Sequence, residues 1–247
     1  MGGGSLEFTA PRTSPYQGEG EMQLLKGSDP LKDQSYFLWT LPQEQLSRIF
    51  FPIGEIKKTE VRKLAKKFKL PVAYKKDSQG ICFLGAVDLK DFLKHYIKEK
   101  KGKVLDENGN KIGDHSGVVF HTLGERHGFT ITKNKPGDGP YYVIGKDIKK
   151  NILYVSQEKN YLGKSKNDFC LTLKDTNWIF QSPEQNKNYT CQIRYHGEFL
   201  PCQIKCSKFD FEQKKAEVIF QKPTLVAPGQ SCVIYDGNVC LGGGIII

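Results

Sequence analysis

At residues 104–113 the chain reads Val104-Leu105-Asp106-Glu107-Asn108-Gly109-Asn110-Lys111-Ile112-Gly113, and here helical periodicity gives way to the pattern of strands. Two short apolar segments flank a polar stretch that contains Asn-Gly, the dipeptide most typical of a tight hairpin turn. The pattern predicts a β-hairpin at this point and β-structure in the residues that follow.

Downstream of the hairpin the pattern remains that of strands. Further strands are expected at Gly117–His121, Tyr141–Ile144 and Ile152–Ser156, which predicts a small β-rich central domain over residues 101–165. Residues 166–247 then contain six short apolar segments at a spacing typical of a small closed barrel or sandwich. These segments are Phe169–Leu173, Tyr189–Tyr195, Leu200–Cys206, Lys215–Phe220, Ser231–Tyr235 and Val239–Leu241.

Upstream of the hairpin, residues 24–100 carry apolar side chains at helical spacing. A first helix is expected from Pro42, with Leu46, Ile49 and Phe50 facing inward. A second is expected from the N-cap Thr59, with Val61, Leu64, Ala65 and Phe68 inward, and a third from about Asp88 to Lys101. Residues 1–23 have the composition of a tag or linker, and no element is expected there. The whole pattern predicts an α+β multidomain protein.

The charge of the chain points to a polyanionic partner. The formal net charge is +10 and the pI is about 9.1, which favours phosphate binding but also fits an ordinary lysine-rich surface. The cations concentrate between Thr59 and Lys76, where Glu60 is the single acidic residue; candidate phosphate contacts are Arg62, Lys63, Lys66, Lys67, Lys75 and Lys76. The alternative for these residues is a solvated helix face.

Cys82 lies in the connection between two predicted helices, in the segment Asp77-Ser78-Gln79-Gly80-Ile81-Cys82-Phe83. Most free cysteines are small buried hydrophobes, whereas a thiol beside Lys75 and Lys76 is also a candidate nucleophile, because cations favour the thiolate. The chain has seven cysteines, without paired metal-ligand spacing. Of those in predicted barrel strands, four are interpreted as structural: Cys191, Cys202, Cys206 and Cys232.

No metal site and no membrane segment are expected. His115, His121 and His127 recur at six-residue intervals, which does not provide the close pair typical of a structural zinc site. No apolar run approaches the length of a membrane span, and the start of the chain lacks the blocks of a signal peptide. These features predict reduced thiols and a cytoplasmic protein.

Several stretches resemble the bacterial and organellar tRNA-specific 2-thiouridylases, the MnmA or TrmU family, in family order from about Leu24 to Ile247. They are Lys32-Asp33-Gln34-Ser35-Tyr36-Phe37-Leu38, Phe51-Pro52-Ile53-Gly54, Lys76-Asp77-Ser78-Gln79-Gly80-Ile81-Cys82-Phe83, His121-Thr122-Leu123-Gly124, Arg194-Tyr195, Pro228-Gly229-Gln230 and Cys240-Leu241-Gly242-Gly243-Gly244. One departure is Glu125, which stands where the family has Gln.

The resemblance implies the fold. The family begins with an ATP-pyrophosphatase domain that contains a Ser-Gly-Gly-x-Asp-Ser loop and a first catalytic cysteine, and neither is found in this sequence. The chain is therefore expected to correspond to the C-terminal two thirds of such an enzyme: the helical tail of an α/β nucleotide domain that carries Cys82 (24–100), the small central domain (101–165) and a six-stranded C-terminal β-barrel (166–247).

The resemblance also implies a reaction, the ATP-dependent 2-thiolation of the wobble uridine of tRNA. Cys82 would carry the sulfur as a persulfide received from a donor protein, and would end in a disulfide with the first cysteine. ATP, with Mg²⁺, would be a co-substrate bound outside this chain. Contacts with tRNA are implied for Lys32, Asp33, Gln34, Arg194 and Tyr195, and for Gln230 near the target base. A monomer in the cytoplasm or an organellar matrix is expected.

Two other functions remain open from the sequence. The chain could be a non-catalytic tRNA-binding module that uses the basic helix and the barrel. It could also be a protein-interaction barrel without a role in RNA binding. Because the ATP loop is not found here, the fragment is expected to be inactive by itself even if the first interpretation is right.

Overall fold

The computed structural model describes residues 22–75, 89–133, 139–158, 169–205 and 214–247. These residues form two compact units. The first unit combines residues 22–74 with the described parts of 170–221 and with 228–247, and the second contains those described in 75–169 together with 222–227. Cys82, Lys76 and Cys206 lie outside the described residues.

The first unit is built on a closed barrel of six antiparallel strands. The strands are β7 Cys170–Trp178, β8 Asn188–Gln192, β9 Leu200–Lys205, β10 Ala216–Phe220, β11 Ser231–Asp236 and β12 Val239–Ile246. They pair in the order β12-β11-β8-β9-β10-β7, and the pairing of β12 with β7 closes the ring. The six predicted segments thus form the predicted six-stranded barrel, which confirms the fold class. Closure leaves these strands without a free edge.

Glycines allow β12 to close the barrel. A Cβ atom at Gly242 would overlap the carbonyl oxygen of Asn177 on β7, and one at Gly243 would overlap that of Cys232 on β11. Gly242 also has a φ of +129°, and the register of β12 shifts between Gly243 and Ile245 where it pairs with β7. The glycines therefore permit both the close approach of the backbones and the bend that a small barrel requires.

The N-terminal segment of the first unit packs on the outside of this barrel. A two-residue strand, β1 Leu24–Leu25, pairs with β12, and it is followed by the short helices α1 Ser35–Leu38 and α2 Gln43–Leu46 and by α3 Lys58–Lys67. Trp39 and Leu46 are buried in one cluster with Val233 and Tyr235 of β11. Asn177 of β7 donates hydrogen bonds from Nδ2 to the carbonyl groups of Trp39, at 2.7 Å, and Leu41, at 3.3 Å. Apolar burial and these bonds fix residues 39–46 against the barrel.

Two predictions about this segment are wrong in detail. Because α2 ends at Leu46, Ile49 and Phe50 do not continue its buried face, and Phe50 is 61% exposed. The second helix begins one residue before Thr59, and no residue of α3 is buried; Phe68, expected inward, is 61% exposed. The 3.6-residue pattern correctly predicted a helix, but periodicity does not guarantee that another element covers the apolar stripe.

The second unit contains the predicted hairpin. Its elements are α4 Leu89–Lys94, β2 Gly102–Leu105, β3 Lys111–His115, a 3₁₀ turn at Val118–Phe120, β4 Phe129–Ile131, β5 Tyr142–Asp147 and β6 Ile152–Ser156. The sheet order is β4-β3-β2-β6-β5, with β2 and β6 parallel. Val104, Val143, Leu153 and Val155 form its fully buried core.

The prediction of a strand at Gly117–His121 is wrong, because the structure has a 3₁₀ turn there. In a strand, the backbone N–H groups of Gly117 and Val118 would bond to a neighbouring strand. Here side chains accept these hydrogen bonds. His115 Nδ1 accepts the N–H of Gly117 at 3.0 Å, and Asn151 Oδ1 accepts that of Val118 at 3.1 Å. Side-chain bonds of this kind compete with sheet formation. Among the helices of the described residues, none has the length and apolarity needed to cross a membrane.

Candidate nucleic-acid interface

Asp33 stabilises the turn that presents Lys32 and Gln34. Its Oδ1 accepts hydrogen bonds from the N–H groups of Gly27, at 3.1 Å, and Ser35, at 2.9 Å, while Oδ2 accepts one from the Ser35 hydroxyl at 3.0 Å. These bonds satisfy backbone donors at the start of α1, as an N-terminal cap does. Lys32 and Gln34, on either side of Asp33, are exposed.

Gln34 connects this turn to the β8–β9 connection. Its Nε2 donates a hydrogen bond to Tyr195 Oη at 2.6 Å. The Tyr195 ring lies 4.5 Å from that of Phe37 and 4.0 Å from that of His196, measured between ring centroids. Phe37 is 54% exposed. We call Phe37, Tyr195 and His196 the aromatic cluster; it offers flat apolar surface beside polar groups, which suits the stacking of unpaired bases.

Gln230 belongs to the same side of the first unit. It follows the turn Pro228-Gly229, and its carbonyl accepts the N–H of Ile246 at 2.8 Å. The neighbouring Ser231 carbonyl accepts a hydrogen bond from Tyr36 Oη at 2.9 Å, and Tyr36 in turn lies 6.1 Å from Tyr195. Burial raises the pKa of Tyr36 to about 12, which keeps the hydroxyl a donor at neutral pH. Three segments that are distant in sequence are thereby brought together.

Arg194 is exposed at the turn of the β8–β9 connection. The turn is closed by a hydrogen bond from the Gly197 N–H to the Arg194 carbonyl at 2.9 Å, with His196 in the left-handed region at a φ of +56°. Arg194 directly precedes Tyr195 of the aromatic cluster in this turn, and it is exposed. A guanidinium in such a position is suited to bidentate phosphate binding.

The basic helix α3 begins beside the same turn. Asp29 Oδ2 accepts the N–H of Lys58 at 2.9 Å, so a side chain of the Lys32 turn caps the helix in place of Lys57. The exposed cations on α3 are Lys63, Lys66 and Lys67, while Arg62 is half-buried and donates from Nη1 to the Ala73 carbonyl at 3.5 Å. Lys75 is exposed in the second unit, and Lys76 lies outside the described residues.

The described cysteines support the structural interpretation of the barrel thiols. Cys191, Cys202 and Cys232 are fully buried and free. A hydrogen bond with Cys191, followed by burial, raises the pKa of Cys202, and burial raises that of Cys240 to about 12. Because the thiolate is the reactive form, the thiols of Cys202 and Cys240 are held in their unreactive state.

The three histidines do not form a common site. His115 and His121 are buried with their ring centroids 5.6 Å apart, whereas His127 is exposed and accepts a bond from Arg126 Nε at 3.0 Å. Within the described ranges no group of three His, Cys, Asp or Glu side chains is arranged to hold a metal ion. The carboxylate of Glu125 accepts the N–H of Thr122 at 2.8 Å and lies 3.3 Å from His121 Nδ1, which gives this residue a role within its own turn.

Sequence reasoning missed two residues beside the interface, Lys26 and Phe199. Lys26 precedes the Asp33 turn, and Phe199 precedes β9; together they border a cavity on this side of the barrel. Neither residue belongs to a motif or a charge cluster. The one available signal is that Phe199 adds a further aromatic residue to the hairpin connection that contains Tyr195 and His196.

Comparisons with known proteins agree over nearly the whole chain. The family model described as a tRNA methyl transferase HUP domain matches residues 10–86, a tRNA methyl transferase PRC-barrel domain matches 90–157, and an aminomethyltransferase beta-barrel domain matches 169–246.

Several curated relatives are named tRNA-specific 2-thiouridylase MnmA. The protein from Nitrosomonas europaea is 43% identical over 94% of this chain, and those from Escherichia coli O1:K1 and Shigella dysenteriae serotype 1 are 42% and 41% identical over 92%. The matched region is 61–63% of the length of these relatives. The chain belongs to the MnmA family of tRNA-specific 2-thiouridylases.

Proposed function

We propose that this chain is the tRNA-binding and sulfur-carrying part of a tRNA uridine 2-sulfurtransferase. One observation carries the proposal: the turn of Lys32 to Gln34, the pair Arg194 and Tyr195, and the turn of Gln230 lie together on one side of the first unit, linked by Gln34 and Tyr36. Residues with these side chains are suited to an unpaired RNA loop, because stacking and hydrogen bonding to splayed bases require aromatic and amide groups beside cations.

Each residue is assigned a role on its surroundings or on its place in the family motifs. Lys32 and Arg194 contact phosphates, and Gln34 and Tyr195 contact a base or ribose next to the target. Gln230 contacts the RNA near the target uridine. Asp33 acts indirectly, since both of its oxygens hold the turn. The exposed lysines of α3 extend the positive surface along the RNA backbone, and Lys75 and Lys76 favour the thiolate of Cys82.

The sulfur step is assigned to Cys82 on the basis of its sequence context. Cys82 receives a sulfur atom from a persulfide-donor protein, and the terminal sulfur of this persulfide attacks C2 of the activated uridine as the C2–O bond to the leaving group breaks. A second cysteine then attacks Cys82 Sγ. The Sγ–S bond breaks, its electron pair stays on the sulfur now bound to C2, and the two cysteines end as a disulfide.

The residues of this chain do not fit an ATP site, because the sequence contains no Ser-Gly-Gly-x-Asp-Ser loop. We therefore propose that ATP, with Mg²⁺, is used at a domain that acts together with this one. The chain acts as a monomer on one tRNA, and the reaction takes place in the cytoplasm or an organellar matrix.

A non-catalytic tRNA-binding module is the second candidate. It is favoured by the fact that the described interface is complete within the first unit, while the sequence has no ATP loop. Both candidate functions predict that the chain binds tRNA. They differ in whether Cys82 carries and transfers sulfur. Only the sulfurtransferase loads a persulfide on Cys82 and passes it to RNA.

The test therefore has a binding part and a transfer part. We expect Arg194→Gln to weaken tRNA binding about 10-fold or more, because a charge-assisted hydrogen bond is lost. The matched control is Arg48→Gln, an exposed arginine of the same unit that pairs with Glu44. Fluorescence anisotropy measures both affinities, and equal affinities would place the RNA elsewhere.

For the transfer part, the chain is incubated with a cysteine desulfurase and cysteine, and mass spectrometry measures the sulfur added to the peptide that contains Cys82. Adding an ATP-pyrophosphatase domain in trans, with ATP and tRNA, is expected to give 2-thiouridine. Cys82→Ser is expected to abolish both results. Full activity of the serine variant would exclude Cys82 as the sulfur carrier, and tRNA binding without any sulfur loading would favour the non-catalytic module.

A further inference from the structure

A cavity of about 450 Å³ opens beside the interface, within the first unit. One wall is formed by residues 26–33, which precede α1, and the other by the end of β8 and the connection to β9. Its volume falls within the range of about 300–1,000 Å³ that is typical of small-molecule sites. Asp33, Tyr195 and His196 line it, so it is continuous with the surface that carries the proposed tRNA contacts.

The walls combine aromatic surface with one cation. Lys26 Nζ lies 3.7 Å from the centre of the Phe199 ring and 4.5 Å from that of Tyr235. Phe199 packs edge-to-face on Tyr235 at 5.3 Å and is nevertheless 38% exposed. The aromatic rings therefore fix the position of the ammonium group while part of the Phe199 ring stays accessible.

Backbone and hydroxyl donors hold the turn beside Lys26. Asp33 is the carboxylate beside it, and both Asp33 oxygens accept hydrogen bonds from Gly27 and Ser35. Burial lowers the pKa of Lys26, and the charges of Asp33 and Cys240 oppose this change. A partly desolvated ammonium group that lines a cavity is a strong donor for an anionic or carbonyl oxygen entering that cavity.

We propose that this cavity binds one unstacked nucleotide of the RNA, other than the target uridine. Its base packs against Phe199 and the Tyr195–His196 side of the cavity, and Lys26 donates a hydrogen bond to a base carbonyl or phosphate oxygen. The inference rests on the proposed function, which it deepens by adding a second nucleotide site to the interface. The ligand is a nucleotide within RNA, and a free mononucleotide is the alternative source of the same chemistry.

The test uses the full chain and RNA stem-loops of 17 nucleotides in which each loop position in turn carries 2-aminopurine. We expect a fluorescence change on binding at one loop position besides the target. Phe199→Leu, which keeps the apolar volume without the aromatic face, should remove that change and weaken binding about fivefold or more. Lys26→Met, which keeps the apolar stem, should weaken binding about fivefold. Lys205→Met, an exposed lysine at the other end of β9, is the matched control and should have no effect.

The outcomes separate this inference from the function on which it rests. If Arg194→Gln weakens binding but Phe199→Leu and Lys26→Met do not, the interface stands and the nucleotide cavity is overturned. If the RNA does not bind at all, both are overturned. The second arm is a calorimetric titration with AMP and UMP. If a mononucleotide binds saturably and Phe199→Leu removes this binding but leaves the RNA affinity unchanged, the assignment to RNA is overturned. Circular dichroism melts of each variant confirm that it is folded.

Discussion

At the scale of single residues, burial separates inert thiols from accessible ones. Cys191, Cys202 and Cys232 have no exposed surface, whereas Cys170 is exposed at the start of β7. The barrel strands could be predicted to contain structural cysteines, because small apolar side chains suit the interior of a narrow barrel. Cys82 and its neighbours lie outside the described residues. Its sequence context is therefore what distinguishes it from the barrel cysteines.

This difference predicts the alkylation pattern of the folded protein. Burial raises the pKa of Cys170, so its thiolate forms only at alkaline pH. Prolonged treatment with iodoacetamide at pH 9 should label Cys170 and leave Cys191, Cys202 and Cys232 unlabelled, because the reagent needs an accessible thiolate. All four should react once the chain is unfolded in guanidinium chloride. Peptide mapping by mass spectrometry measures the labelled fractions. Rapid labelling of Cys202 in the folded protein would contradict the buried, hydrogen-bonded thiol described above.

His115 is a second residue whose state follows from its contacts. Its Nδ1 accepts the Gly117 N–H, which requires the neutral ring, and it lies 5.6 Å from His121. Burial and then the charge of His121 lower the pKa of His115 below its ordinary value of about 6.5. Protonation of His115 in the folded protein is therefore opposed by the hydrogen bond from Gly117 as well as by desolvation.

The sign of the pH dependence follows from this shift. Well above pH 6.5 the His115 ring is neutral in both states and its contribution to stability is complete. As the pH falls through 6.5 the unfolded chain binds the proton more readily than the folded protein does, so stability falls. We expect a loss of up to about 1.4 kcal/mol per pH unit between pH 6.5 and the lowered pKa. Urea unfolding at several pH values measures it. His115→Gln should reduce the slope, whereas His127→Gln, at an exposed site, should leave it unchanged.

At the scale of elements, alternation and turn residues predicted the strands well, and special backbone requirements were missed. β6 occupies the expected Ile152–Ser156, and β11 extends the expected Ser231–Tyr235 by one residue. Both are short apolar runs bounded by turns, for which local sequence is sufficient. The 3₁₀ turn at Val118–Phe120 was missed because the deciding hydrogen bond comes from Asn151, which is distant in sequence.

For β12 the prediction was too short. The strand was predicted to end at Leu241, and it continues to Ile246. Consecutive glycines ordinarily weaken a strand. Here they are required, because β11 and β7 approach β12 too closely for side chains at Gly242 and Gly243. This requirement depends on barrel closure, a property of six strands together, and local propensity does not contain it.

The glycine requirement can be tested by adding one methyl group. Gly242→Ala should lower the free energy of unfolding by about 2 kcal/mol or more, because the Cβ meets the Asn177 carbonyl and the φ of +129° is unfavourable for alanine. Gly237→Ala is the matched control: it has a positive φ of +58° but no atom within 4 Å of the added Cβ. Its expected cost is about 1 kcal/mol. Equal costs for the two variants would mean that close approach at β12 is unimportant.

At the scale of the whole molecule, the family resemblance supplied the candidate contact residues but not the contacts that join them. These candidates, which stay a prediction, are Lys32, Asp33, Gln34, Arg194, Tyr195 and Gln230. The structure shows that Asp33 holds the turn and that Phe37 and His196 surround Tyr195. These arrangements depend on packing the N-terminal segment against the barrel, which joins residues about 160 positions apart, as in the Gln34–Tyr195 hydrogen bond. Short-range patterns do not encode such contacts.

The distribution of charge gives the last prediction, which concerns tRNA affinity as a function of salt. If the +10 chain binds RNA through phosphates, the logarithm of its affinity should fall linearly with the logarithm of salt concentration, because each contact releases counterions. Changing Lys63, Lys66 and Lys67 to Gln should reduce the magnitude of this slope by roughly 0.7 to 0.9 for each phosphate contact that is lost. Fluorescence anisotropy titrations between 50 and 300 mM KCl measure the slope.

The matched control removes the same three charges from exposed positions on the barrel, by changing Lys174, Lys205 and Lys215 to Gln. Both variants carry the same net charge, so a difference between their slopes reports where the phosphates lie and is independent of overall attraction. A smaller slope for the α3 variant alone assigns the basic helix, which Asp29 anchors beside Lys32, to the RNA backbone. Identical slopes would show that tRNA responds only to the net charge of the molecule, and α3 would then be a solvated face.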